Sequence, residues 1–230
     1  MCTVTYVPYR QGFILTHNRD ESPERSADGL LEKSGLVYPV DTRTGGTWIA
    51  ATATGRVVCL LNGGKVRHVP RPPYRMSRGL LIFDAFKWKS LQEFGRVQDF
   101  VGIEPFTMLE FHGAAVQTLL WDGSDMVFDH VEVGAPRIWS SVTLYTPEVR
   151  MQREVVFRQW LSQAEATSSL PAYLLEMHRC ADLEDIEQNF MMCRGQQLRT
   201  VSITQVVVMN GSSEMRFIHL ETGREWTHRG

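Results

Sequence analysis

Turn residues cut this chain into successive pairs of short β-branched and aromatic runs, and that pattern restricts the fold more than any other feature. Residues 3–8 (TVTYVP) lead through a turn at 9–12 into a second apolar run at 13–17 (FILTH). Residues 47–51 (TWIAA) lead through Thr54-Gly55 into 56–61 (RVVCLL). Runs at 106–111, 115–121 and 126–133 follow, with Asp122-Gly123 between the last two. Residues 201–209 and 215–220 flank Asn210-Gly211 and read as a closing hairpin. Short alternating runs joined by such turns specify antiparallel pairs.

Two helical blocks interrupt the hairpins. Leu80, Leu81, Asp84 and Trp88 fall at helical spacing within 77–89. Ser90 with Glu93 has the form of a capping box. Thr146-Pro147 reads as a cap and first residue of a long helix, with Val149, Val156 and Trp160 as its apolar stripe. Further helices are expected at 170–180 and 183–191. Residues 22–44 read as a loop with a short strand at 36–40. The three prolines of 67–74 exclude regular structure there. There is no repeat and no composition break, so a single domain over 1–230 is expected. Two antiparallel sheets packed face to face with helices outside would cover every apolar face, which makes the class α+β. A two-layer α+β domain is the plainer alternative.

A hydrophobic content of 43% is enough for a packed core. The net charge of −2 argues against a nucleic-acid or anionic-membrane binder. The basic stretch Lys65-Val66-Arg67-His68 with Arg71 reads as a solvated loop. No apolar run reaches membrane-spanning length, and no secretory signal is visible. The four cysteines, 2, 59, 180 and 193, make no CxxC pair and no zinc-ligand spacing. Cys59 reads as a core residue, and Cys180 and Cys193 as residues of a helical region. A reducing, cytoplasmic setting is expected. No HExxH pattern occurs, and neither a metal nor a cofactor is expected.

The position of Cys2 has chemical consequences. Methionine aminopeptidases remove Met1 ahead of a small residue, and Cys2 would then carry a thiol and a free α-amine together. An α-amine has a pKa of about 8, so part of it is neutral near pH 7 and can serve as the base. This is the N-terminal variant of the nucleophile–base pair. The first hairpin returns the charged tetrapeptide Asn18-Arg19-Asp20-Glu21 to the chain start. Arg19 would favour the thiolate, and Asp20 or Glu21 could orient the amine. Asn62 ends an apolar run, and its amide could donate to an oxyanion, with Gly63 and Gly64 letting backbone N–H groups approach. Trp48 either packs or walls a pocket. His17 abuts the cluster and reads either as a pocket residue or as a surface strand end.

"MC" at the start, "NRDE" at 18–21, "GGTWIA" at 45–50 and "LN" at 61–62 together resemble the NRDE family, which includes the transport and Golgi organisation 2 proteins. The resemblance is strong over 1–64. It continues more weakly in "WSSVTLYTPEVRMQRE" (139–154) and "LRTVSITQVVV" (198–208). That family is similar to Ntn hydrolases such as bile-salt hydrolases and penicillin V acylases. The resemblance implies a four-layer αββα sandwich. It also implies Cys2 as nucleophile and base, Arg19 beside the sulfur, Asp20 orienting the amine, Asn62 as oxyanion donor and Arg199 as a late-strand arginine near the site. Asn18, Glu21, Trp48, Gly63 and Ser141 are expected on the substrate side. Two departures stand out. The acylase carboxylate follows the arginine by three residues, whereas Asp20 and Glu21 follow Arg19 by one and two. Ser141 stands where the family often has asparagine.

These residues predict an N-terminal cysteine hydrolase or acyltransferase acting on an amide or thioester of a small acyl-bearing molecule. The competing expectation is a non-catalytic protein of the same fold that binds or traffics a small hydrophobic ligand. A third is a globular protein in which Cys2 is incidental. Exposed sheet edges would suit a homodimer.

Overall fold

The computed structural model describes residues 2–113, 115–131, 134–164 and 167–230, with the backbone alone for Val131. Among them the chain forms two seven-stranded sheets in which every pairing is antiparallel.

Sheet A runs in the order β10 (Arg137–Ser140), β1 (Cys2–Tyr9), β2 (Gly12–Glu21), β12 (Leu198–Met209), β13 (Ser212–His219), β14 (Glu225–Arg229). The two-residue β11 (Cys193–Arg194) adds to β12. Sheet B is a meander in chain order: β3 (Leu30–Lys33), β4 (Leu36–Pro39), β5 (Ile49–Thr52), β6 (Val57–Asn62), β7 (Phe106–His112), β8 (Ala115–Trp121) and β9 (Met126–Val131).

Side-chain alternation sorts these strands into layers. Val4, Tyr6, Phe13, Leu15 and Val206 of sheet A meet Val57, Cys59, Leu109 and Phe111 of sheet B in a central core. The opposite face of sheet B packs Leu60, Phe106, Met108 and Leu119 against α1 (Leu81–Ala85) and α2 (Leu91–Val97). The opposite face of sheet A packs Val7 and Ile14 against α3 (Pro147–Gln163) and α4 (Leu170–Cys180). The result is the αββα sandwich.

The expected caps form. The Ser90 hydroxyl accepts from the Glu93 N–H at 3.2 Å, and the Thr146 hydroxyl from the Val149 N–H at 3.4 Å. The expected helix at 183–191 does not form. The carboxylates of Asp182 and Asp185 take the N–H groups of Glu184 and Glu187, Asn189 takes that of Leu183, and Glu184 sits at φ 67°. Such local bonds compete with a helix and favour turns. Cys193 lies accordingly in a strand. The helix expected over 77–89 shortens to α1 behind a 3₁₀ turn at Arg78–Leu80. Within 22–44 both β3 and β4 form, and β10 and β14 add edges to sheet A that hydrophobic runs did not signal. Residues 132 and 133, expected at the end of β9, lie outside the described residues.

Candidate active site

The β1–β2 register places Cys2 directly opposite Arg19. Alternation along β2 then divides the tetrapeptide. Arg19 shares the inter-sheet face of Cys2, whereas Asn18 and Asp20 point at the helices. Glu21, at the strand end, reaches the cavity mouth.

On the inner face, Arg19 lies with its guanidinium 3.8 Å over the Trp48 ring, a cation–π arrangement between the sheets. It donates to Asp41 Oδ2 at 2.5 Å and to the Arg25 carbonyl at 2.6 Å. Arg25 also bonds Asp41 Oδ2, at 2.6 Å, and Glu21 at 2.7 Å. The other Asp41 oxygen accepts the N–H groups of Arg43 and Thr44 in an Asx turn. Burial pushes the Asp41 carboxyl up, but Arg19 and Arg25 outweigh it and hold the group below its ordinary value. Arg25, Asp41 and Arg78 were not foreseen from sequence. Asp41-Thr42-Arg43-Thr44 carries a legible Asx signature, but nothing local shows that its free oxygen meets Arg19.

Cys2, Arg19, Glu21, Trp48 and Asn62 line one cavity of about 80 Å³, together with Arg25, Asp41 and Arg78. Asn62 arrives from β6 of the opposite sheet. Ser141 ties the two sheets together here. Its N–H donates to the Cys2 carbonyl at 3.0 Å and its hydroxyl to the Asn62 carbonyl at 2.7 Å. Gly63 has φ 90°, and a Cβ there would meet Val142 at 2.5 Å, so this close crossing requires glycine. Gly63 and Ser141 border a separate cleft of about 510 Å³ on the far side of Asn62.

Burial raises the Cys2 thiol pKa above 9.0. The Asp20 charge adds to this, and Arg19 opposes it. The thiol, 2% exposed, therefore needs a base at neutral pH.

Besides Gly63 and Ser141, three further expected site residues lie away from this cavity. Asp20 is fully buried behind the sheet, accepting from the Tyr145 hydroxyl at 2.9 Å and the Thr200 hydroxyl at 2.7 Å. Burial raises its pKa, against Arg153 and these two donors. Asn18 donates to the carbonyls of His178 and Phe190 and faces His178 Nδ1 at 2.7 Å, which fixes α4 and the following segment to β2. Arg199, at the rim of sheet A, pairs with Glu221 at 2.9 Å.

His178 gives a pH prediction. Asn18 Oδ1 can only accept, so His178 Nδ1 carries the hydrogen and Nε2 accepts from Thr5, 2.7 Å away. Burial, with Arg153 nearby, lowers its pKa to about 3 from 6.5. Between these values the unfolded imidazole holds a proton that the folded one lacks. Stability therefore falls as pH falls through this window, by roughly 1.4 kcal/mol per unit. Buried His17 acts in the same direction. His178→Gln is expected to flatten this acid limb, as checked by urea midpoints at several pH values.

Two stacked antiparallel sheets flanked by helices, with a cysteine leading an inner strand, define the N-terminal nucleophile hydrolase fold. The Caenorhabditis elegans N-acylethanolamine-hydrolyzing acid amidase ortholog superposes with a TM-score of 0.63 at 10% identity, over 92% of this chain and 98% of that one. The C2A mutant of conjugated bile acid hydrolase from Clostridium perfringens superposes with a TM-score of 0.52 at 8% identity, over 100% of this chain and 92% of the other. The chain itself belongs to the transport and Golgi organisation 2 family, whose sequence model matches residues 1–116. No curated protein sequence matches it. None of the described helices is long and apolar enough to cross a membrane.

Proposed function

We propose that this protein is an N-terminal cysteine hydrolase or acyltransferase acting on an amide or thioester of a small acyl-bearing molecule. The observation that carries this reading is the convergence of Cys2, Arg19 and Asn62, from both sheets, on one polar cavity. With Met1 removed, the Cys2 α-amine takes the thiol proton and the sulfur attacks the carbonyl carbon. Asn62 donates to the oxyanion as charge develops. The leaving group takes the proton back from the amine, and a thioester on Cys2 remains for water or an acceptor amine. Arg19, neutralised in part by Asp41, lowers the cost of the thiolate without filling the cavity. Asp20 holds the strand from behind, with its oxygens bonded to Tyr145 and Thr200.

The second reading is a protein that binds a small hydrophobic ligand without turning it over, with the buried Cys2 thiol as a ligand contact. Limited alkylation separates the two. Cys59 is fully buried with its pKa pushed well up by burial, whereas Cys180 is exposed and Cys193 partly so. Accessibility alone would label Cys180 first. If Met1 is absent and Cys2 takes a limiting dose of iodoacetamide ahead of Cys180, an activated nucleophile is in place. Labelling in order of exposure leaves the binding reading. Arg19→Ala is expected to move the Cys2 alkylation profile to higher pH, because one of the charges that oppose the effect of thiol burial is gone. An unchanged profile would contradict the role given to Arg19.

A further inference from the structure

Behind Arg19, the inner face of sheet A carries polar atoms that the chain leaves unsatisfied. Both ring nitrogens of His17, the Ser202 hydroxyl and the Thr204 hydroxyl are buried and have no hydrogen-bond partner among the described residues. The residues are 0%, 1% and 0% exposed. They are neighbours by register, since Thr204 pairs with His17 and Ser202 with Arg19. A bulge between Thr200 and Ser202 creates this arrangement. It turns Thr200 toward Asp20 while Ser202 faces the sandwich interior. Trp48, just ahead of β5, lies beside the group. Its ring spans from Arg19 toward Phe217, 6.2 Å away, which is the β13 partner of Thr204. Its indole N–H is also unpartnered.

A buried polar atom left bare costs about 1–3 kcal/mol. Several adjacent ones, offering both donors and acceptors, are the usual setting of internal water. His17 suits this role, because burial first, and nearby positive charge with it, keeps its imidazole neutral. One nitrogen then donates and the other accepts. We propose that His17, Ser202, Thr204 and the Trp48 indole hold a small cluster of ordered water between the sheets, and that this cluster supplies the water that releases an acyl group from Cys2. The second half rests on the proposed function. Cys2 lies diagonal to His17 on the same face, opposite Arg19, while Val4 stands opposite His17. An acyl group held in the small outer cavity narrows the path for bulk solvent, whereas water behind Arg19 is already within the site. Water adds to the thioester carbonyl carbon, the C–S bond breaks, the carboxylic acid leaves, and the sulfur regains a proton as thiol.

Two measurements on the full-length protein, with Met1 removed, test this. The first is a high-resolution crystal structure with urea midpoints for the wild type, Thr204→Val and Ser202→Ala. Ordered water on His17 and Thr204, with both variants less stable, is expected. A dry site and equal or greater stability in Thr204→Val would overturn the hydration site, because an unsatisfied hydroxyl is better replaced by a methyl. The second is acetylation of Cys2 by p-nitrophenyl acetate, with acetyl loss followed by intact mass. His17→Phe is expected to lower the ratio of deacetylation to acetylation rate by at least roughly tenfold. An unchanged ratio would overturn the supply role. If wild-type Cys2 never acetylates, the proposed function fails and the supply role fails with it. The hydration site is then decided by the first measurement alone.

Discussion

Cys2→Ala is expected to lower acyl-enzyme formation by about 10³-fold or more, the loss typical when the nucleophile of a concerted site is removed. The fold should persist. Cys2 packs in the central core at the very start of β1, and losing its sulfur costs about 1–2 kcal/mol of contacts. Intact mass after exposure to p-nitrophenyl acetate reads the first effect, and a urea midpoint the second. Acylation that continues at Cys59, Cys180 or Cys193 at the wild-type rate would remove Cys2 from the mechanism. A variant that fails to fold would give Cys2 a structural part instead.

Arg153→Met is expected to cost about 3–5 kcal/mol, the effect of stripping one partner from a buried charge system. Arg153 is the largest fully buried side chain. It donates to the Thr3 hydroxyl and to the carbonyls of Gln188, at 3.0 Å, and Asn189. Its guanidinium lies 3.9 Å over the Tyr145 ring, and Tyr145 in turn bonds Asp20. Without it Asp20 loses the cation that opposes the rise of its pKa, and Thr3 loses its anchor beside the nucleophile. The double variant Arg153→Met with Asp20→Asn should lose less than the sum of the two singles, because it removes both charges. Additive losses, measured by urea unfolding, would show that the two charges do not interact.

The tetrapeptide shows how far the linear chain could be read. Its return to Cys2 followed from the turn at 9–12, and the register confirms the pairing with Arg19. That Arg19 alone of the central pair faces the cavity follows from the period of two in a strand, once the inner face is known. The inner face depends on which residues of the other sheet cover it. Arg199 illustrates the limit. It sits on the expected strand, yet its partner Glu221 lies beyond the next hairpin. The segment 183–191 fails for a local reason, since its apolar spacing suited a helix but its Asp and Asn side chains took the backbone N–H groups.

Local chemistry determined the hairpins, the Ser90 and Thr146 caps and the leading cysteine, because each is specified by residues a few positions apart. Only the tertiary structure decided that Asp41 and Arg25 neutralise Arg19, that Trp48 stacks on it and that Asp20 belongs to Tyr145 and Thr200. It also gathered the unpartnered groups of His17, Ser202 and Thr204 behind the nucleophile. These contacts join residues separated by up to 187 positions between His17 and Thr204. They are set by sheet register, by one bulge and by which faces the sandwich buries, and none of these is a property of any single stretch of sequence.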